Sequence, residues 1–186
     1  VNTLGTDNVP AWAAYGKVDG LFWMTISALG IVVTTFVGQN YGAGRNDRVS
    51  KGTGVCMTIG MVLTATAGIG LFLFGYFLVT LFTTDTNVQS ISMDLLHFMV
   101  PTFVLYITIE ILSGTLRGVG DAWMPLIITC LGVCVVRILW MTFVLPQYRT
   151  IITAAFCYPL TWGLTSVAFV VYYYFFSPLA RWKRVR

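Results

Sequence analysis

Residues 95–116 read LLHFMVPTFVLYITIEILSGTL, and one acidic side chain, Glu110, interrupts an otherwise apolar run. A run of this length suffices for a helix to cross a hydrocarbon core of about 30 Å, which needs about 20 residues. A carboxylate inside such a helix costs about 2.5 kcal/mol or more at the bilayer centre. Intramembrane ionisable groups therefore mark ion, proton or substrate pathways. This stretch predicts a membrane helix with a chemical task.

The rest of the chain agrees. Of 186 residues, 57% are hydrophobic and 10% charged, against about 25% charged in soluble domains. The charges leave gaps at 20–44, 52–84, 95–116 (His97 and Glu110 apart), 122–148 (Arg137 apart) and 150–180. The reading is an all-α polytopic membrane protein with five transmembrane helices at 9–38, 49–82, 88–117, 122–145 and 150–177. The whole chain, 1–186, forms one transmembrane domain. β-Barrel strands would show alternation in units of about ten residues, which is missing. The first gap has no basic leader, so it does not read as a signal peptide.

With alternating spans, Arg45, Arg48, Lys51, Arg117, Arg181, Lys183, Arg184 and Arg186 fall on one side and Arg149 alone on the other. Basic loops stay in the cytoplasm, so the expected C-terminus is inside and the N-terminus outside. The net charge of +4 then reflects topology, and a nucleic-acid partner has no support. Membrane lipids are the expected surroundings, with Trp182 and the basic tail at the interface. The polar connector opening at Val1 reads as a truncation point, and five spans starting outside imply a preceding helix.

Thr102, Tyr106 and Glu110 recur at i, i+4 and i+8, and Ser113, Gly114 and Arg117 continue that side. A polar stripe on an apolar helix faces protein or a water-filled cavity. Glu110 reads either as a carboxylate that binds a proton or Na⁺, or as a carboxyl paired with Arg137 for packing. Arg137 lies about 22 Å into the fourth helix, with bonding to helix carbonyls or cavity lining as its other roles. Lys17 and Asp19 sit in the outer third of the first helix on different faces, each a candidate substrate contact, with snorkelling the plainer role for Lys17. Tyr158, Trp162 and Thr165, beside Pro159, offer stacking and cation–π contact to flat cationic ligands, or ordinary helix packing. Pro101 and Pro159 mark kinks, as hinges or static bends.

Enzyme chemistry lacks a basis. There is no nucleophile–His–carboxylate set, HExxH or P-loop. Gly38, Gly42 and Gly44 follow no strand, so no dinucleotide site is expected. His97 has no partner for a metal site. Cys56, Cys130, Cys134 and Cys157 read as apolar packing residues.

Two segments suggest a family. FVGQNYGAG at 36–44 leads into the basic run ending at Lys51, and SGTLRGVGD at 113–121 is followed by Pro125. Together, with YPLTW at 158–162, they resemble the carboxy-terminal half of the multidrug and toxic compound extrusion (MATE) transporters, and bacterial members in particular. The resemblance implies a twelve-helix fold of two six-helix lobes, of which this chain supplies the last five helices of the second. The amino-terminal lobe, the partner of this one, and the helix before the first span are then absent. It implies a multi-pass protein of the bacterial inner membrane, exporting small amphipathic organic cations in exchange for H⁺ or Na⁺, with no other cofactor. Glu110 is then the coupling residue. Some Na⁺-linked relatives carry an acidic residue one turn earlier on this helix, where Tyr106 stands here. Gly38, Gln39, Gly42, Arg117 and Asp121, in the two cytoplasmic motif loops, have structural and topological roles. The rival readings are a lipid-linked oligosaccharide flippase, which needs a cationic cavity using Arg137 and Lys17, and a non-transporting membrane subunit.

Overall fold

The computed structural model describes residues 7–185 and is all-helical. The connector at 1–6, Arg186 and the side chains of Lys183 and Arg184, all used in the topology reading, lie outside what it describes. Among the described residues, five helical stretches are long and apolar enough to cross a membrane: Phe22–Gly42, Asn46–Thr80, Thr86–Gly118, Trp123–Val144 and Ile151–Trp182. The first span is α1 (Asn8–Gly42) and the second α2 (Asn46–Thr80). The third is α3 (Thr86–Met99) and α4 (Phe103–Gly118), joined through a 3₁₀ turn, Val100–Thr102. Pro101 lies in that turn, where a tighter hydrogen-bonding pattern accommodates its missing N–H.

The fourth span is not the plain helix that its composition predicts. It runs α5 (Trp123–Thr129), a π-helical stretch Cys130–Val135, α6 (Val136–Leu139) and a second π stretch, Trp140–Val144. Its most apolar window has nothing buried within the chain. The fifth span, α7 (Ile151–Phe175), continues unbroken through Pro159. The Thr161 hydroxyl, two residues on, donates to the Tyr158 carbonyl at 2.9 Å. A short helix, α8 (Pro178–Val185), ends the described chain.

Lipid tails are as apolar as leucine, so membrane helices associate through close packing of small residues. This chain does so along α2, whose buried face is Val49, Thr53, Gly60, Thr64, Gly68, Gly75 and Val79. Ile107, Val100 and Leu96 of the third span fill the notches at Gly60, Gly68 and Gly75. The α1–α4 crossing is tighter still. A Cβ on Gly118 would lie 2.7 Å from the Val37 side chain, and one on Gly114 would lie 3.1 Å from the Gly30 carbonyl. A buried hydroxyl pair, Thr53 and Thr115 at 3.2 Å, adds a polar tie between α2 and α4.

The two motif loops end their helices identically. Gly44 (φ 69°) and Gly120 (φ 85°) occupy the left-handed region. The next N–H reaches back five residues in each, Arg45 to Asn40 and Asp121 to Leu116, both at 3.0 Å or less. That is the glycine-terminated cap that satisfies orphan helix carbonyls. A side chain in this conformation costs about 1–2 kcal/mol. Gly120→Ala should therefore lower the thermal midpoint of the purified complete protein. Gly42→Ala, inside α1 with open space around it, should leave the midpoint unchanged or raise it.

Candidate functional site

The polar stripe of the third span closes on itself. Arg117 Nη2 lies 3.6 Å from Glu110 Oε1, and Arg117 Nη1 donates to Ser113 Oγ at 3.0 Å. From the other side the Tyr106 hydroxyl donates to Glu110 Oε2 at 3.4 Å. Seven residues nearly complete two turns, so Arg117 shares a face with Glu110 and reaches it along the helix. The alternative pairing of Glu110 with Arg137 is not formed. Arg137 belongs to the fourth span, which packs on α7, and its guanidinium lies over the Tyr158 ring at 4.0 Å.

The Glu110 carboxylate also stands directly against α1. The position of a Cβ on Gly30 is already taken by Glu110 Oε1. Glu110 retains 18% side-chain exposure and Arg117 42%, so the pair borders accessible space while α1 covers one flank.

A second polar feature lies on α1. Asp19 is buried, and the Trp23 indole N–H donates to its Oδ2. Around it is a cavity of about 230 Å³ lined by Trp12, Tyr15, Gly16, Asp19, Trp23, Met99, Tyr158 and Trp162. The rings touch in sequence. Trp12 meets Tyr158 at 5.9 Å, Tyr158 meets Trp162 at 5.7 Å and Trp162 meets Trp23 at 5.6 Å between centroids. Trp23 then stands edge-on to Tyr106 at 4.5 Å. A continuous run of contacts therefore joins Asp19, through Trp23 and Tyr106, to Glu110.

The other candidates from the sequence are dispersed. Lys17 is exposed on a different face, with its ammonium 5.2 Å from the Phe82 ring centroid. The Thr102 hydroxyl is spent on the Met99 carbonyl at 2.6 Å. Thr165 is fully buried against Gly132 of the fourth span, away from the aromatic cavity. Gly38 lies 3.6 Å, as a Cβ would be placed, from the Gly118 carbonyl, so the two motif loops meet. Gln39 contributes its carbonyl to the α1 cap. Asp121 accepts from the Tyr172 hydroxyl at 2.6 Å and from Met124 N at 3.4 Å, tying the motif turn to α7 and α5. Among the described residues no three His, Cys, Asp or Glu side chains converge on a metal position, and the His97 ring lies tilted against Phe72 at 4.5 Å between centroids.

Trp12, Tyr15 and Trp23 were not singled out from the sequence. The signal was present: with Asp19 they recur at intervals of three and four residues, one face of a helix.

Comparison with known proteins gives this geometry its context. The family model described as MatE matches residues 1–142. A Bacillus subtilis protein named "Probable multidrug resistance protein YoeA" is 25% identical over 177 residues, 94% of this chain and 38% of that protein. "Probable multidrug resistance protein NorM" of Thermotoga maritima is 30% identical over 133 residues, 71% of this chain and 28% of that protein. The chain thus spans well under half the length of these two relatives. Proteins of the matched family are transporters, not enzymes. A match over three-quarters of the chain, the five apolar helices and the two glycine-capped motif turns lead to one conclusion: this chain belongs to the MatE family, the MATE transporters.

Proposed function

We propose that this chain forms most of one lobe of a cation-coupled multidrug antiporter that exports amphipathic organic cations in exchange for H⁺ or Na⁺. The observation that carries the reading is Glu110: a carboxylate within a membrane span, part-exposed, held by Tyr106 and at long range by Arg117. A pair at 3.6 Å leaves the carboxylate free to exchange its cation. Glu110 takes up the coupling ion, and the aromatic wall from Tyr106 to Trp12 borders the organic cation's path. The relatives' names and the shares of their length that are matched support a complete protein with a further lobe, which this one faces across the substrate path. The excess of basic residues in alternate loops supports a cytoplasmic C-terminus, in the inner membrane of a bacterial cell.

The flippase reading asks for converging cations. Arg137 lies over the Tyr158 ring and Lys17 on another face beside Phe82, so the two do not converge. The test is the complete protein in proteoliposomes. An imposed H⁺ or Na⁺ gradient is expected to drive ethidium against its own gradient. Ion-independent flipping of a lipid-linked oligosaccharide, without ethidium flux, would reverse the conclusion, and absence of any flux would leave a non-transporting subunit.

A further inference from the structure

The aromatic cavity on α1 has a feature that the coupling reading leaves unused: its acceptors are not satisfied. Asp19 receives the Trp23 N–H on Oδ2, but Oδ1 is buried without a hydrogen-bond partner. The Tyr15 hydroxyl, one turn away, approaches Asp19 as a donor, but too poorly oriented to make a full hydrogen bond. A buried acceptor that lacks a good donor is destabilising, so a ligand that brings its own donor binds more tightly than one that does not.

We infer that Asp19 and the rings of Trp12, Tyr15, Trp23, Tyr158 and Trp162 form a seat for the head of a protonated amine, one carrying an N–H, in preference to a quaternary ammonium. The inference rests on the antiporter reading for its substrate class, and it adds where the charged head sits and what it must donate. Three properties lead to it. Aromatic rings line the cavity around one carboxylate, and a carboxylate with aromatic faces is the combination that attracts organic cations. The cavity of about 230 Å³ is below the roughly 300–1,000 Å³ of sites that enclose a whole drug-sized ligand, so it takes a head and leaves the body outside. Oδ1, approached only by the poorly oriented Tyr15 hydroxyl, keeps lone pairs for a donor, which methylation of the amine removes. The Arg137 guanidinium already lies over the Tyr158 ring, so the cation's π contacts come chiefly from the other rings.

The experiment is calorimetric titration of the purified complete transporter with a matched pair, benzyldimethylammonium and benzyltrimethylammonium, which differ by N–H against N–CH₃. The N–H ligand is expected to bind about tenfold more tightly, within the range that one unmade buried bond allows. Asp19→Asn should weaken both ligands and bring the ratio near one. Gly54→Ala, on α2 with open space around it, should leave the ratio unchanged. Equal affinities for the two ligands in the unmodified protein would overturn the inference. So would an unchanged ratio in folded Asp19→Asn, and the unmodified protein alone decides the matter if that variant does not fold. Ion-driven flux with no N–H preference would sink the seat and spare the antiporter; a clear preference without ion-driven flux would do the reverse.

Discussion

Glu110→Gln in the complete transporter is expected to reduce ion-driven ethidium flux to the level of empty vesicles while membrane expression stays normal. The amide keeps the size of the side chain and still accepts from Tyr106. What disappears is the negative charge that a proton or Na⁺ would neutralise. Folding should tolerate the change, because the Arg117 partner is 42% exposed at 3.6 Å and such pairs contribute about 0–1 kcal/mol. Coupling between two ligands is typically about 1–3 kcal/mol, a 5–150-fold change in affinity. Ethidium affinity measured with and without the coupling ion should differ by a factor in that range in the unmodified protein and be equal in the variant. Flux that persists unchanged would remove Glu110 from the mechanism.

Gly30→Ala is expected to impair transport nearly as severely without touching any charged residue. The new methyl would occupy the position of Glu110 Oε1. Because that atom ends a flexible side chain, the helices need not separate; the carboxylate swings away instead. Stability should therefore change by less than about 1 kcal/mol, the smaller side of overpacking costs, while the carboxylate loses its approach to Tyr106 and Arg117. The expected result is at least about a tenfold fall in ion-driven flux, as small misplacements of functional groups produce, with a thermal midpoint close to the unmodified protein. Gly54→Ala, a glycine on α2 with open space around it, serves as the control and should transport normally. A Gly30→Ala protein with full activity would show that the contact with α1 has no bearing on Glu110.

The contrast between these two sites explains what the sequence could and could not reveal. Glu110 is visible in one dimension, because a lone charge in an apolar run is anomalous whatever surrounds it. Gly30 is one glycine among the chain's 18, and nothing local distinguishes it from Gly54. Asp19, Tyr158, Trp162 and Tyr106 were each legible as polar or aromatic groups within spans. Their convergence was not, since it depends on how α1, α4 and α7 cross. The alternative pairing of Glu110 with Arg137 is not formed for the same reason: depth along a helix can be counted, but rotation about its axis and choice of neighbour cannot. The π-helical stretches around Arg137 shift that rotation again, and composition alone does not announce them.

Hydropathy and the spacing of charges were enough to determine an all-helical chain of five membrane spans, and two glycine-rich turns were enough to point to its family. Both are properties of consecutive residues, governed by transfer into hydrocarbon and by the backbone freedom of glycine. Only the tertiary structure decided that Arg117 rather than Arg137 reaches Glu110, that Gly30 makes room for that carboxylate, and that five rings enclose Asp19. These contacts join residues on different helices. In a membrane, steric fit between helix surfaces selects them, and no reading along one strand of sequence contains that fit.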